Sequence, residues 1–372
     1  MPRGILGCLL TLGAGFGIYT SGCLATAVSR QQCQATLDTA TTVANRLQSA
    51  YYSSTTGNYN QGSLWTDANA VEDLHNLMLA AGTTTWASVG NTSRIGRAAQ
   101  NSNTNWQSIL GGSNDDAQWI ILALWKIADY RAAHSQSIDA FMSAAGTIYN
   151  FIAGQWDNTC GGGGRLFLLT SASGYLRTGN QTYLDNANKA WNWLSQSGMR
   201  NADGLWNDGL VLATCKNNGQ TTWTYNQGVI ASGLGALYAI TGNVSLLDAA
   251  EITFATMAHL TDNGILKESC DDATSSSSLT TTMAREQQIF KGLWTKHVQY
   301  YLDQANDAAR TAKYSAFLGA QSSGAFHYGK NANNDVGSVW YAPDQGGSIF
   351  SPEASSSGLE AFVSAAKVRR AR

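Results

Sequence analysis

Two adjacent acids, Asp115 and Asp116, form the pair in this sequence best suited to acid–base and nucleophilic work. They stand in Gly-Gly-Ser-Asn-Asp-Asp-Ala-Gln-Trp, residues 111–119, directly after a Gly/Ser/Asn turn. Neighbouring carboxylates repel, so one holds its proton more tightly than the other. That is how an acid and a nucleophile are made from two identical groups. Retaining glycosidases need carboxyl groups about 5 Å apart, which adjacent residues at a helix start can reach. The wider gap of an inverting pair, with room for a water, is harder to reach from neighbours. Taken alone, the pair reads more plainly as an N-cap with acids in the first turn, complementing the helix dipole. The residues that follow weigh against this. Trp119, Ile120, Ile121, Leu122, Ala123, Leu124, Trp125, Ile127 and Ala128 are apolar on every side. Such a helix is buried, and two unpaired carboxylates at its mouth are costly.

Other chemistries find no support. GxSxG, HExxH and Walker A patterns are absent. His75, His134, His259, His297 and His327 are scattered without ligand spacing, so neither a metal nor a cofactor is expected. The Gly161-Gly162-Gly163-Gly164 run lacks a following GK[ST] and reads as a turn. Asp271-Asp272 has no buried helix behind it and reads as a solvated loop. Polar-aromatic clusters do recur ahead of other apolar runs. Trp223-Thr-Tyr-Asn-Gln227 precedes 228–240, with Trp206-Asn207-Asp208 in the loop before it. Trp65 and Asn69 precede Leu74, Leu77 and Leu79, and Phe290-Lys291 precede Leu293 and Trp294. Any one of them is a cap plus a core aromatic. Their recurrence predicts a shared cleft in which Asn114, Trp119, Trp65, Asn69, Trp206, Asp208, Trp223, Tyr225, Asn226, Gln227 and Lys291 meet the substrate.

A weak internal repeat supplies the elements that hold these residues. Tyr175-Leu-Arg-Thr-Gly-Asn-Gln-Thr-Tyr-Leu-Asp185 resembles Tyr238-Ala-Ile-Thr-Gly-Asn-Val-Ser-Leu-Leu-Asp248 at a constant offset. Each copy is an apolar helix, a Thr-Gly-Asn turn and an amphipathic helix. The second helices carry Leu184, Ala187, Trp191 and Leu194, and Leu247, Ala250, Phe254 and Met257, at helical spacing. The unit is a helical hairpin of about sixty residues. Roughly six fit the chain, which predicts an all-α fold, an (α/α)6 barrel with the loops before its inner helices facing a central cleft. The spacing falls short once. Trp125 and Tyr175 should match but lie too close, because Leu166 enters a helix almost directly after the glycine run. One inner-helix entrance is therefore shortened near residue 165.

Composition narrows the class. Charged residues are 13% and the net charge is −2, so no basic patch points to nucleic acid. Twelve Trp and fifteen Tyr among abundant Ser, Thr and Asn suit sugar rings, which stack on aromatics and hydrogen-bond to amides and hydroxyls. Residues 1–27 read as a signal peptide, with Arg3, an apolar stretch and Ala25-Thr26-Ala27 as cleavage site. Residues 28–372 are expected to form one secreted domain, monomeric and without a stable membrane anchor. Cys33, Cys160, Cys215 and Cys270 remain, predicting two disulfides in any of three pairings. Asn91, Asn180 and Asn243 open glycosylation sequons.

The chain resembles glycoside hydrolase family 76, the fungal and bacterial endo-α-1,6-mannanases. The resemblance rests on Asn114-Asp115-Asp116-Ala117-Gln118-Trp119, on Trp156 with the Cys160-Gly-Gly-Gly turn, and on Gly204-Leu-Trp-Asn-Asp-Gly209. It continues through Trp223-Thr-Tyr-Asn-Gln-Gly228, Gly264-Ile-Leu-Lys-Glu-Ser-Cys270, Phe290-Lys-Gly292 and Ser357-Gly-Leu-Glu-Ala-Phe-Val-Ser364. It implies an (α/α)6 barrel acting by retention on α-1,6-mannan without a metal. Asp115 matches the nucleophile and Asp116 the general acid/base. Two departures stand out. The family usually carries a Tyr-Lys-Asn stretch where Gly164 here runs into Arg165, and often has another cysteine soon after the position of Cys270. A cell-wall mannan transglycosylase, or a non-catalytic mannan-binding protein, is the alternative reading.

Overall fold

The structure is a computed structural model describing residues 33–60, 62–161, 164–211, 213–271, 283–343 and 348–368. The expected signal peptide, the 274–282 stretch and the last four residues lie outside the described residues.

The two copies of Thr-Gly-Asn show how the hairpins form. Gly179 and Gly242 take left-handed backbone, φ 64° and 69°, at the ends of their helices, a conformation that glycine adopts without a Cβ clash. The asparagine side chains then accept from the next helix: Asn180 from the Thr182 amide and Asn243 from the Ser245 amide. One tripeptide thus stops a helix and starts the next. Six outer–inner pairs run along the described residues. They are α1 (Gln34–Tyr51) with α2 (Leu64–Ala81), α3 (Arg94–Gln100) with α4 (Asn114–Ala133), and α5 (Asp139–Ala153) with α6 (Gly164–Thr178). The remaining three are α7 (Gln181–Gln196) with α8 (Thr224–Thr241), α9 (Ser245–Ile252) with α10 (Phe290–Ala305), and α11 (Ala308–Gly324) with α12 (Pro352–Val368). The even-numbered helices pack in the order α2, α4, α6, α8, α10, α12, and α12 returns to α2. This is the closed double ring that the repeat predicts.

Inner helices are buried on every face. All residues from Trp65 to Met78 of α2 and from Thr224 to Leu237 of α8 are buried. Outer helices bury one stripe, such as Tyr183, Asn186, Ala187, Ala190 and Leu194 of α7. Among the described residues, three short antiparallel ribbons decorate the loops. One pairs Leu210 with Asn217 and Val211 with Lys216. Helix α6 begins at Gly164 and has 15 residues, against 16 to 20 in the other inner helices.

The middle of the ring is polar. Lys296 of α10 has no exposed surface and donates to Asn69 Oδ1 (2.9 Å), Glu72 Oε2 (3.0 Å) and Asp73 Oδ1 (2.7 Å). Asn76 donates to Glu360 of α12 (3.1 Å) and to Gln299 (3.1 Å), and Ser356 donates to Asp73. Burial favours the neutral acids, yet Lys296 holds Glu72 below its usual range. Burial raises Asp73, and burial with Asp73 alongside raises Glu360 well above the carboxylate range. One network therefore joins α2, α10 and α12.

Two expectations are corrected. Asp271 is not in a solvated loop: it is buried, and Lys291 donates to it and to the Ser338 carbonyl (2.8 Å). Its neighbour Asp272 lies outside the described residues. The buried ammonium of Lys291 explains the reversal, because a desolvated cation requires a carboxylate. Of the two expected disulfides, the described residues show one, Cys160–Cys215. Cys270 keeps its thiol, pushed up to about 12 by burial and by the carboxylates of Asp271 and Glu268.

Candidate active site

Ser113 caps α4 by accepting from the Asp116 amide (3.2 Å), which places Asp115 and Asp116 in the first turn. The unpaired amides and the dipole at this end favour negative charge. Three aromatic residues meet across the inner ring next to this turn. Trp65, opening α2, stacks on Trp119 (centroids 5.9 Å apart, 29° between planes), and Trp119 meets Tyr225, which opens α8, at 6.2 Å. Barrel closure thus gathers clusters that are far apart in sequence.

Asp115 lines a cavity of about 400 Å³ with Gly161, Gly164, Arg165, Trp193, Met199, Asp208 and Tyr225 among its walls. That volume falls in the ~300–1,000 Å³ range of small-molecule sites. Gly164 has φ 64°, and a β-carbon there would sit 3.7 Å from Asp115 Oδ1. The left-handed backbone is what suits glycine to this turn, since a β-carbon would make only an ordinary contact with Asp115. Asp208 Oδ1 accepts from Tyr225 Oη (3.1 Å), Asn226 Nδ2 (3.0 Å) and Arg165 Nη2 (3.3 Å).

The two aspartates have different surroundings. Burial raises Asp115 to about 6; Arg165 opposes the rise, while Asp116 and Asp208 add to it. Burial also raises Asp116, where Ser113 opposes the rise and Glu286 adds to it. Glu286 sits in the 3-10 turn Arg285–Ile289 before α10 and accepts from Trp65 Nε1 (3.2 Å). A pair in which each acid answers to a different neighbour can divide acid and nucleophile roles.

Not every expected sugar contact faces the cavity. Asn69 serves Lys296, Lys291 serves Asp271, and Gln227 exchanges bonds with the Trp206 backbone (2.7 and 2.9 Å); all three side chains are fully buried. Trp206 is 1% exposed and packs near Trp191. Asn226 holds Asp208 from within α8, while Trp223 is half-buried and packs on Phe290. Asn114 donates to Gln155 (3.2 Å) at the rim. Sequence reasoning missed Arg165, Glu286 and Trp193. A charged residue in the first turn of an otherwise apolar helix was the available signal for Arg165. Nothing local marks Trp193, which lies on outer helix α7 and reaches the cavity because Gly161 packs directly under its ring.

Fold and site together define a helical-barrel glycosidase framework: a closed ring of six inner helices, with adjacent carboxylates opening one of them and the first carboxylate on a cavity wall. The glycosyl hydrolase family 76 model matches residues 164–371, more than half of the chain, and the chain belongs to that family. The match starts at Gly164, where the shortened entrance begins, and leaves the aspartate pair outside it. A Schizosaccharomyces pombe protein provisionally named a mannan endo-1,6-alpha-mannosidase is 23% identical over 319 residues, 78% of this chain and 70% of the relative. A Candida albicans mannan endo-1,6-alpha-mannosidase is 26% identical over 178 residues, 40% of this chain and 39% of the relative. Among solved structures, an inactive variant of an alpha-1,6-mannanase of Salegentibacter sp. has two consecutive aspartates replaced by alanine and holds alpha-1,6-mannotetrose. It superposes with a TM-score of 0.73 at 15% identity, over 90% of this chain and 99% of that one.

Proposed function

We propose that the chain is a secreted endo-α-1,6-mannanase that hydrolyses mannan with retention of configuration. The observation that carries the reading is the Asp115–Asp116 pair in the first turn of α4, with Asp115 on the wall of a sugar-sized cavity. The Salegentibacter mannanase, inactive when two consecutive aspartates are replaced, supports it. Asp115 attacks the anomeric carbon while Asp116 gives its proton to the departing glycosidic oxygen. Asp116 then takes a proton from water, which displaces Asp115 and restores both groups. Tyr225 offers a ring, and Asp208 an acceptor, to the sugars from the cavity wall, whereas Trp119 and Trp65, expected in sequence to touch substrate, are buried and back the wall from behind. The exposed sequon residues Asn91, Asn180 and Asn243 suit a secreted glycoprotein acting as a monomer on wall polysaccharide.

Incubation with linear α-1,6-mannan, followed by proton NMR of the first products, tests the proposal. Short oligosaccharides that appear first as the α-anomer support it. First products in the β-anomer would contradict retention, and binding without any product would favour the mannan-binding alternative. Longer chains built from short oligosaccharides at high concentration would favour the transglycosylase.

A further inference from the structure

Helix α6 starts at Gly164, where a β-carbon would lie 3.7 Å from Asp115 Oδ1, so its second residue, Arg165, enters the fold close to Asp115. The residue is 8% exposed. Its guanidinium donates to the carbonyls of Asn207 (2.9 Å) and Asp208 (2.7 Å) through Nη1, and to Asp208 Oδ1 (3.3 Å) and Tyr225 Oη (3.5 Å) through Nη2. It lines the same cavity wall as Asp115. The charged and titratable groups around Asp115 are Asp116 on its own helix, Arg165 from α6, Asp208 from the loop before Leu210–Val211, and Tyr225 from α8. Two are carboxylates and one is a phenol, so Arg165 is the cation in this set. A nucleophilic carboxylate must be ionised, and here burial and both neighbouring acids work against ionisation.

We propose that Arg165 is a positioning residue that keeps Asp115 ionised for attack, a role created by the shortened entrance that brings the guanidinium to the cavity wall. The inference rests on Asp115 being the nucleophile. It accounts for why an arginine, with donors to spare for two carbonyls and a carboxylate, is buried beside the aspartate pair. It also places the acid limb of kcat/KM at the ionisation of Asp115, near pH 6.

The test uses protein labelled with 13C at the aspartate carboxyl carbons, titrated by NMR without substrate, alongside pH profiles on α-1,6-mannan. Arg165→Gln should move the Asp115 titration and the acid limb up by about 1 pH unit or more. Arg165→Lys, which keeps the charge but not the fork, should return both most of the way. Asp208→Asn, nearly isosteric, should move both down. Should Arg165 merely clamp the 207–208 backbone, Gln and Lys would lower kcat alike and leave the titration in place, overturning the proposal. A titration that shifts as described in a protein that cleaves no mannan would uphold the electrostatic link and sink the mannanase reading instead.

Discussion

Replacing Lys296 with methionine isolates the polar network that fixes the inner ring beneath the cleft. Lys296 donates to Asn69, Glu72 and Asp73 at 2.7–3.0 Å with no solvent contact, and it also faces Glu360. Methionine fills the stem but leaves three buried acids without this cation. Removing one partner of a buried ion pair costs about 3–5 kcal/mol. The sign of the pH dependence follows from the acids. Lys296 holds Glu72 low, so that group's contribution is present above its unfolded value and fades as pH falls. Without Lys296 all three acids shift upward and oppose folding once the unfolded chain would ionise them. The deficit should therefore be full near pH 7 and shrink towards pH 4. Urea denaturation followed by tryptophan fluorescence and circular dichroism measures it at both values. A loss under about 1 kcal/mol at pH 7, or a deficit that grows on acidification, would refute the reasoning.

Two further perturbations bear on the cleft. Glu286→Gln removes an acid that raises Asp116; Asp116 should then lose its proton at lower pH, moving the basic limb of kcat/KM down, and an unmoved or raised limb counts against the Glu286 assignment. Cys215→Ser opens a loop of 55 residues; the closure entropy of that length gives a loss of ~4 kcal/mol, seen as a lower denaturation midpoint that reduction of the wild type should reproduce. A midpoint insensitive to both changes would show that the bridge constrains nothing.

Much of the fold was legible because its cause is local. The Thr-Gly-Asn turns at 178–180 and 241–243 announce a left-handed glycine and a capping asparagine, and the all-round apolar runs announce an inner layer. The shortened entrance was legible as a spacing defect before α6. The aspartate pair stood out because acids ahead of a buried helix need a reason. What stayed hidden depends on ring closure. Lys291 resembles a cleft residue in sequence, yet it is consumed by Asp271, twenty residues earlier, once the loop folds back. Asn69 opens an inner helix like the cleft residues do, but one turn in it already points at Lys296. Glu286 and Trp193 reach the site from a 3-10 turn and an outer helix, elements whose direction no periodicity reveals.

The proposed mannanase activity rests on Asp115 and Asp116 acting on the α-1,6-mannosidic bond. Purified wild type, Asp115→Asn and Asp116→Asn, each shown to be folded by circular dichroism, should be incubated with linear α-1,6-mannan and the released reducing ends counted. Short mannooligosaccharides are expected from the wild type and background release from both variants. Release undiminished in Asp115→Asn would contradict this expectation.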